Sequence, residues 1–254
     1  MLVNRGSLSN KGIELTLNGT LINKNDFSID IGGNIAFNKS KIQNLGGSSE
    51  DIYINGNIEN RVFYRGENIS TGNYFRTPAN IFMEGEEVGL FYGFETNGIY
   101  QTEDDIAVSG AQAGDVRVID QNGDGAITEA DRTIIGNPNP DFVYGGYLNM
   151  NYKRFNLSIQ MNGVYGNEIA NGNLIQLGTA EGRSANILSQ AYNNAWRPDA
   201  QSNTFPRVGY LGESGSAAIT DRIIEDGSFL RISNITLGYD VPVRKTTVFS
   251  SANV

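Results

Sequence analysis

Three segments of the sequence alternate apolar and polar residues over eleven positions, and each has an aromatic residue at both ends of its apolar side. They cover residues 27–37, 142–152 and 155–165. Side chains two positions apart lie on the same face of a β-strand, so each segment predicts a strand with one apolar and one polar face. Ten steps of about 3.3 Å span roughly 33 Å, which a tilt of about 40° reduces to roughly 25 Å. This is the height of the apolar band on an outer-membrane β-barrel, where aromatic girdles lie at both rims.

The connections between the predicted strands alternate between short and long. Further strands are predicted at residues 12–22 and 229–239, and a sixth begins near the carboxyl end, whereas residues 1–11 are expected to form a loop. Tight turns at 23–26, 153–154 and 240–245 alternate with long segments at 39–141 and 166–228. Outer-membrane barrels have short periplasmic turns and long extracellular loops, so both long segments are expected to face the environment. A soluble β-sandwich also alternates apolar and polar residues and stays open as an alternative.

Composition favours strands and excludes several functions. The 254 residues include 31 Gly and 24 Phe and Tyr, which suit strands and turns. The formal charge of -9 argues against nucleic acid as a partner. The chain has no Cys or His, so the usual zinc ligands and the commonest general base are missing. We find no 18-residue apolar stretch and no signal-peptide pattern, and expect that an export signal would precede this sequence.

Residues 120–131 have the spacing of a calcium-binding loop. Such a loop needs several hard oxygen donors that alternate along a short segment, with a glycine at the sharp turn. Gly125 is at the sixth position. The donors at positions one, three, five, seven, nine and twelve would be Asp120, Asn122, Asp124, the Ala126 carbonyl, Thr128 and Asp131. The simpler alternative is a pair of Asn-Gly and Asp-Gly turns with solvated carboxylates.

Three aromatic residues in the second long segment are candidates for substrate binding. Tyr192, Trp196 and Phe205 could stack on a sugar ring, or they could pack the segment onto itself. Acidic groups at 84–87 and 103–105 could be read as the paired carboxylates of a glycosidase. Nothing in the sequence fixes the separation of these carboxylates, and a solvated acidic surface is the better explanation, so we predict no catalytic residue and no enzyme activity.

Six short motifs, taken together and in order, resemble SusC/RagA-type TonB-dependent outer-membrane transporters of Bacteroidetes. They are NKGIEL at 10–15, GFETNGIY at 93–100, the block from GD at 114–115 to DRTIIGNP at 131–138, YGNEI at 165–169, WRP and FPR at 196–207, and DRIIEDGSFLR at 221–231. Each motif is short, but together they extend over nearly the whole chain.

The resemblance implies a 22-stranded barrel filled by a plug, energised through TonB, capped by a SusD-like surface lipoprotein and importing oligosaccharides or peptides. This chain would supply about six strands from the carboxy-terminal half, would lack the plug and would not transport anything alone. The predicted fold class is therefore all-β, a partial antiparallel transmembrane barrel with long extracellular loops. The alternative function is a secreted calcium-stabilised β-domain that acts as an adhesin or glycan-binding module.

Overall fold

A computed structural model describes residues 6–70, 76–108, 110–178, 186–208, 219–242 and 252–253, and these residues form mainly antiparallel β-structure. The strands are β1 (Ser7–Lys24), β2 (Phe27–Asn44), β3 (Glu50–Ile54), β4 (Asn57–Arg61), β5 (Phe63–Arg65), β6 (Asn68–Ser70), β7 (Arg76–Pro78), β8 (Asn80–Met83), β9 (Leu90–Phe94), β10 (Thr96–Ile99), β11 (Val116–Val118), β12 (Arg132–Gly136), β13 (Phe142–Tyr152), β14 (Phe155–Tyr165), β15 (Glu168–Ala170), β16 (Ile224–Asp226), β17 (Phe229–Val241) and β18 (Ala252–Asn253). The helices are α1 (Gly172–Leu177) and α2 (Ser189–Asn193), with single 3-10 turns at Glu129–Asp131 and Asp221–Ile223.

The chain divides into two compact units. Unit 1 is built mainly from Ser40–Asn139 and Glu168–Asp226. Unit 2 is built mainly from Asn10–Lys39, Pro140–Asn167 and the segment from Gly227 onward. The long segments predicted at 39–141 and 166–228 thus correspond closely to unit 1, and the predicted long strands correspond to unit 2.

Unit 2 contains the six-stranded antiparallel sheet that the alternating pattern predicts. The strand order is β1-β2-β13-β14-β17-β18. β13 and β14 have the predicted bounds and pair without interruption from Phe142 opposite Tyr165 to Tyr152 opposite Phe155. β14 and β17 pair along their length with one bulge beside Gln160. Period-two alternation therefore predicted the two strands of the hairpin and the position of its turn.

The two amino-terminal strands are longer than predicted. β1 begins at Ser7 rather than at residue 12, and β2 continues to Asn44 rather than ending near residue 38. The prediction of a loop at 1–11 is therefore wrong from Ser7 onward. These strand ends are polar and pair through groups that carry no apolar signal: Gln43 Nε2 donates to Ser9 Oγ at 2.8 Å.

Unit 1 is a folded body with several short sheets and its own apolar cores. One core contains Phe94, Ile99, Val116, Val118 and Trp196. A second contains residues of β3, β8 and β9, and a third contains Ala79, Ile219 and Ile223. The strands of these sheets have only three to five residues, so the apolar clusters are what hold the sheets of unit 1 together.

Contacts between distant segments join the two parts of unit 1. The Phe94 amide donates to the Ile219 carbonyl at 2.8 Å. The Thr96 hydroxyl donates to Asp221 Oδ1 at 2.7 Å. The two long segments therefore fold together.

Candidate functional site

One face of the sheet in unit 2 is apolar and exposed. On β1, Ile13 is 74% exposed and Leu17 is 67% exposed, and on β17 Leu237 is 69% exposed. Phe37 and Phe155, which bound this face on β2 and β14, are also exposed. A β-sandwich would bury these side chains against a second sheet. The sandwich alternative is therefore wrong for the described strands.

Aromatic side chains form a row at each end of this apolar face. At the hairpin-turn end, the rings of Phe27 and Tyr152 lie 6.0 Å apart, and those of Phe155 and Tyr239 lie 4.8 Å apart. Strand register places these four residues in one line, because Tyr152 is opposite both Phe27 and Phe155. At the other end, Phe142 lies 5.5 Å from Phe37 and 5.0 Å from Tyr165 between ring centroids.

The opposite face of the same sheet is polar and carries a shallow cleft. Hydroxyl and amide groups pair across strands, as where Ser158 Oγ donates to Asn149 Oδ1 at 2.7 Å. The cleft has a volume of about 630 Å³ and lies over Gly33, Gly145 and Gly146. A face of this kind can form hydrogen bonds with water or with a polar ligand.

The acidic loop in unit 1 wraps around the carboxylate of its first residue. Asp120 Oδ1 accepts the Gly123 amide at 2.6 Å, and Asp120 Oδ2 accepts the Gly125 amide at 2.7 Å. Asn122 Oδ1 accepts the Asp124 amide at 2.9 Å, and Asp124 Oδ1 accepts the Ala126 amide at 2.8 Å. In the first half of the loop, each side chain predicted to be a calcium ligand therefore also accepts hydrogen bonds from the backbone.

The last predicted calcium ligand, Asp131, closes the loop by accepting hydrogen bonds from two backbone amides. Asp131 is fully buried; its Oδ1 accepts the Gln121 amide at 2.9 Å and its Oδ2 accepts the Thr128 amide at 2.7 Å. The Thr128 hydroxyl accepts the Ala130 amide and begins the 3-10 turn. All six predicted positions therefore lie in one closed loop.

The pKa of Asp120 reflects these hydrogen bonds. Desolvation raises its pKa, but hydrogen bonds from the amides of Gly125, Gly123 and Asp124 and from Asp131 lower it, and the net shift is downward. Within the described ranges, no three acidic side chains lie close enough together to hold a metal ion by themselves. A cation in this loop would depend on amide, hydroxyl and carbonyl oxygens as well as on carboxylates.

An ion-pair bridge beside the loop was not predicted. Glu129 Oε2 lies 3.0 Å from Arg65 Nη2, and Glu129 Oε1 lies 3.1 Å from Arg132 Nε. The Arg132 guanidinium is buried and lies 5.1 Å from the centre of the Phe94 ring. The bridge links the loop to β5 and β12, and nothing in the local sequence indicates it, because Arg65 is far away along the chain.

The structure does not bring the three candidate aromatic residues together on a surface. Trp196 is buried in the core of unit 1, and its indole N–H donates to Gln101 Oε1 at 3.1 Å. The prediction of a stacking role is therefore wrong for Trp196, whose ring packs against Gly114. Tyr192 is exposed and Phe205 is half-buried, so a binding role for these two stays a prediction.

The acidic groups read as possible glycosidase pairs have local structural partners. Glu84 Oε1 accepts the Leu45 amide at 2.7 Å, and Asp104 Oδ2 accepts the Gln101 amide at 2.7 Å. Glu87 Oε2 accepts from the side chain of Asn137 at 2.5 Å. These contacts hold turns in place.

Comparisons with known proteins identify relatives along nearly the whole chain. No protein-family model matches the sequence. The chain is 32% identical over 244 residues to TonB-dependent receptor P3 of Formosa agariphila, with 94% of this chain and 22% of the relative covered. It is 30% identical over 241 residues to TonB-dependent receptor SusC of Bacteroides thetaiotaomicron, with 94% and 21% covered. The chain therefore spans about a fifth of the length of these relatives.

A solved structure has the same fold. The structure of the RagAB peptide transporter matches with a TM-score of 0.71 and 21% identity, over 98% of this chain and 25% of that chain. No helix in the described part of the chain is long and apolar enough to cross a membrane.

These findings define the class of protein and then the family. An antiparallel sheet with an exposed apolar face between two aromatic rows, matched by the RagAB structure, is part of the wall of a β-barrel. The chain belongs to the TonB-dependent receptors of the SusC/RagA type. The resemblance in the short motifs is thereby confirmed.

Proposed function

We propose that this chain forms part of the barrel wall of an active importer in the bacterial outer membrane. The exposed apolar face of unit 2 supports the proposal most directly, since leucine and isoleucine side chains as exposed as Ile13 and Leu237 are stable in contact with lipid. The two aromatic rows suit the two membrane interfaces. Unit 1, with its separate cores, would face the environment.

The cargo and partners follow from the family. We propose an oligosaccharide or peptide cargo, energy supplied through TonB, and a SusD-like lipoprotein on the outer surface. The match to a peptide transporter and to a receptor named SusC supports membership in an importing family. A transport role also agrees with the local structural partners of Glu84, Glu87 and Asp104.

Uptake by intact cells tests this function. We expect a strain that lacks the complete receptor to lose growth on one member of a panel of neutral oligosaccharides and oligopeptides, and to regain it when the gene is restored. Dissipation of the proton-motive force should abolish uptake. Growth on the whole panel without the receptor, or uptake that survives dissipation, would contradict the proposal.

We further propose that a calcium ion binds in the loop at 120–131 and has a structural role. The loop is closed, Gly125 has a φ of 81° with open space around its Cα, and three backbone amides already orient the Asp120 carboxylate. The ion would be held by Asp120, Asn122, Asp124, the Ala126 carbonyl, Thr128 and Asp131. Oxygen donors of this number and type suit calcium.

Calcium titration of the complete receptor after removal of divalent ions tests the site. We expect Asp124→Ala to lose one bound calcium relative to the native receptor, because a ligand is removed from the middle of the loop. Asp105→Ala is the matched control, since Asp105 is an exposed acidic residue outside the loop. Equal calcium binding by the native receptor and the Asp124→Ala variant would contradict the proposed calcium site.

A further inference from the structure

Two lysines lie opposite each other on the apolar side of the sheet in unit 2. Close approaches between β1 and β2 keep one register along the hairpin, and that register places Lys11 opposite Lys39. These approaches join Thr20 to Asp30, Asn18 to Gly32 and Gly12 to Asn38. Lys11 precedes Ile13 by two positions and Lys39 follows Phe37 by two, so both lysines share the face of these exposed residues. Both lysines are themselves exposed.

The pair lies just beyond one of the two aromatic rows. Phe37 belongs to the row far from the hairpin turns, and two steps of about 3.3 Å along a strand tilted by about 40° place Lys39 roughly 5 Å past it. The headgroup layer of a bilayer is roughly 5–8 Å thick on each side of the hydrocarbon. β2 is paired with β1 on one side and with β13 on the other, so Lys39 belongs to the interior of the sheet. Both lysines therefore lie at the level of the headgroups.

The two positive charges repel each other, and no described acidic residue pairs with them. Opposite residues on neighbouring strands have Cβ atoms about 4.5–5.5 Å apart, and like charges in such a pair are destabilising. Within the part of the chain that the structure describes, neither lysine forms an ion pair. The acidic residues of unit 2 lie on the polar face, at the hairpin-turn end, or beside Gly166: they are Glu14 and Asp30, Asp26 and Asp240, and Asp141. An anion bound between the lysines would offset their repulsion.

We propose that Lys11 and Lys39 bind a phosphate group of the glycolipid in the outer leaflet of the membrane. A phosphate group has several negatively charged acceptor oxygens, so one group can accept hydrogen bonds from two ammonium groups. The acyl chains of the same lipid would lie along Ile13 and Phe37, which are exposed next to the pair. The proposal rests on the transport function, since that function places this face of the sheet in lipid.

The position of the pair favours the glycolipid over other anions. Lys39 lies where β2 continues into residues 40–139, the segment of unit 1 that we propose faces the environment. The outer leaflet of an outer membrane consists largely of phosphorylated glycolipid, whereas phospholipid forms the inner leaflet, which would meet the hairpin turns. Basic clusters at the ends of membrane-spanning segments bind anionic headgroups. A free phosphate ion would have the charge contact alone, without the contact of acyl chains with Ile13 and Phe37.

Titration of the purified complete receptor with lipid A, the phosphorylated lipid part of this glycolipid, tests the site by native mass spectrometry. We expect Lys11→Gln and Lys39→Gln each to weaken the binding of one lipid A molecule about fivefold, as loss of about 1 kcal/mol per lysine would do. Lys39→Arg, which keeps the charge, should bind within about twofold of the native receptor. Lys24→Gln is the matched control and should bind as the native receptor does, because Lys24 is an exposed lysine of β1 at the hairpin-turn end.

The chemistry of the ligand is tested with dephosphorylated lipid A and with inorganic phosphate. Removal of the phosphates should weaken binding to the native receptor, and an excess of inorganic phosphate should not displace lipid A. Four outcomes would overturn the proposal: equal binding of the two forms of lipid A, unchanged binding in the Lys11→Gln/Lys39→Gln double variant, an equal loss in Lys24→Gln, or full displacement by inorganic phosphate. Any of these can occur in a receptor that still restores energy-dependent uptake, in which case the lipid site fails and the transport function stands. Absence of uptake in the native strain would instead count against the transport function.

Discussion

At the scale of single residues, glycine conformation fixes the turns of unit 1. Asn55 and Gly56, with φ of 50° and 72°, form the tight turn between β3 and β4. The turn lies against both β12 and the acidic loop: the Asn55 amide donates to Thr133 Oγ1 on β12 at 3.2 Å, and a Cβ at position 56 would collide with the Gln121 carbonyl oxygen in the loop. Gly123 has almost the same φ, 74°, but open space around it.

This difference predicts unequal effects of the same substitution. Gly123→Ala should lower the free energy of unfolding by about 1 kcal/mol, because the only penalty is that of a left-handed backbone at alanine. Gly56→Ala should lower the free energy of unfolding by about 2–4 kcal/mol, because a collision with the backbone is added to the same strain. Thermal unfolding of the complete receptor in calcium-free buffer measures both, and equal losses would show that the turn does not pack on the loop.

A partly buried ion pair supports a second residue-scale prediction. Asp115 is buried, and its Oδ1 lies 2.6 Å from Arg207 Nε, which joins the two long segments of unit 1. Asp115→Asn should destabilise unit 1 by about 1–3 kcal/mol, since Arg207 is partly solvated and the loss is smaller than for a fully buried pair. Hydrogen exchange at 196–207 should rise, whereas Asp105→Ala should leave it unchanged; unchanged exchange in both would contradict the role of the pair.

At the scale of elements, the two faces of a strand are expected to differ in what they tolerate. Leu17→Arg places a charge on the apolar face of β1 and should cost about 2–4 kcal/mol if that face meets the middle of the bilayer. Thr16→Arg, one residue away on the polar face, should cost little. The amount of folded receptor in the outer membrane, read from its heat-dependent mobility on a gel, should fall for Leu17→Arg alone. An equal effect of both variants would contradict the assignment of faces.

The sequence predicts these elements where the pattern is local and regular. The bounds of β13 and β14 are correct because eleven residues alternate without a break and Lys153–Arg154 makes a tight turn. The ends of β1 and β2 were missed, because polar residues such as Ser9 and Gln43 pair across strands without an apolar pattern.

Among the candidate sites, too, local sequence patterns were easier to interpret than contacts between distant segments. The six predicted calcium ligands lie within twelve residues and occur in one closed loop, and calcium binding by this loop stays a prediction. Trp196 was misassigned because its partners Phe94 and Val116 are 102 and 80 residues away along the chain. The packing of the Tyr147 ring over Gly32 was not predicted, although glycines opposite tyrosines in neighbouring strands were a readable signal.

At the scale of the whole molecule, the two units differ in charge. Unit 1 holds 11 Lys and Arg against 23 Asp and Glu, a net charge of -12, whereas unit 2 holds 8 against 5, a net charge of +3. The acidity of the chain is therefore concentrated in the unit that we propose faces the environment. A field of this sign disfavours the approach of strongly anionic cargo.

The described apolar cores all lie in unit 1, so the two units are expected to respond separately to damage. Trp196→Ala removes a buried indole from the core of unit 1 and should cost about 3–5 kcal/mol there. Hydrogen exchange at 94–118 should rise, while exchange in β13 and β14 should stay at the native level. A rise in both regions would contradict the division into two units.

The central claim is that the apolar face of unit 2 contacts lipid. The chain has no cysteine, so single cysteines at Asn234, Ile235, Thr236 and Leu237 can carry spin labels in a cysteine-free complete receptor in native outer membranes. We expect labels at Ile235 and Leu237 to collide with dissolved oxygen and those at Asn234 and Thr236 with a water-soluble nickel complex, alternating with a period of two. Labels at Ile235 and Leu237 that are reached by the nickel complex, or by neither reagent, would contradict the account.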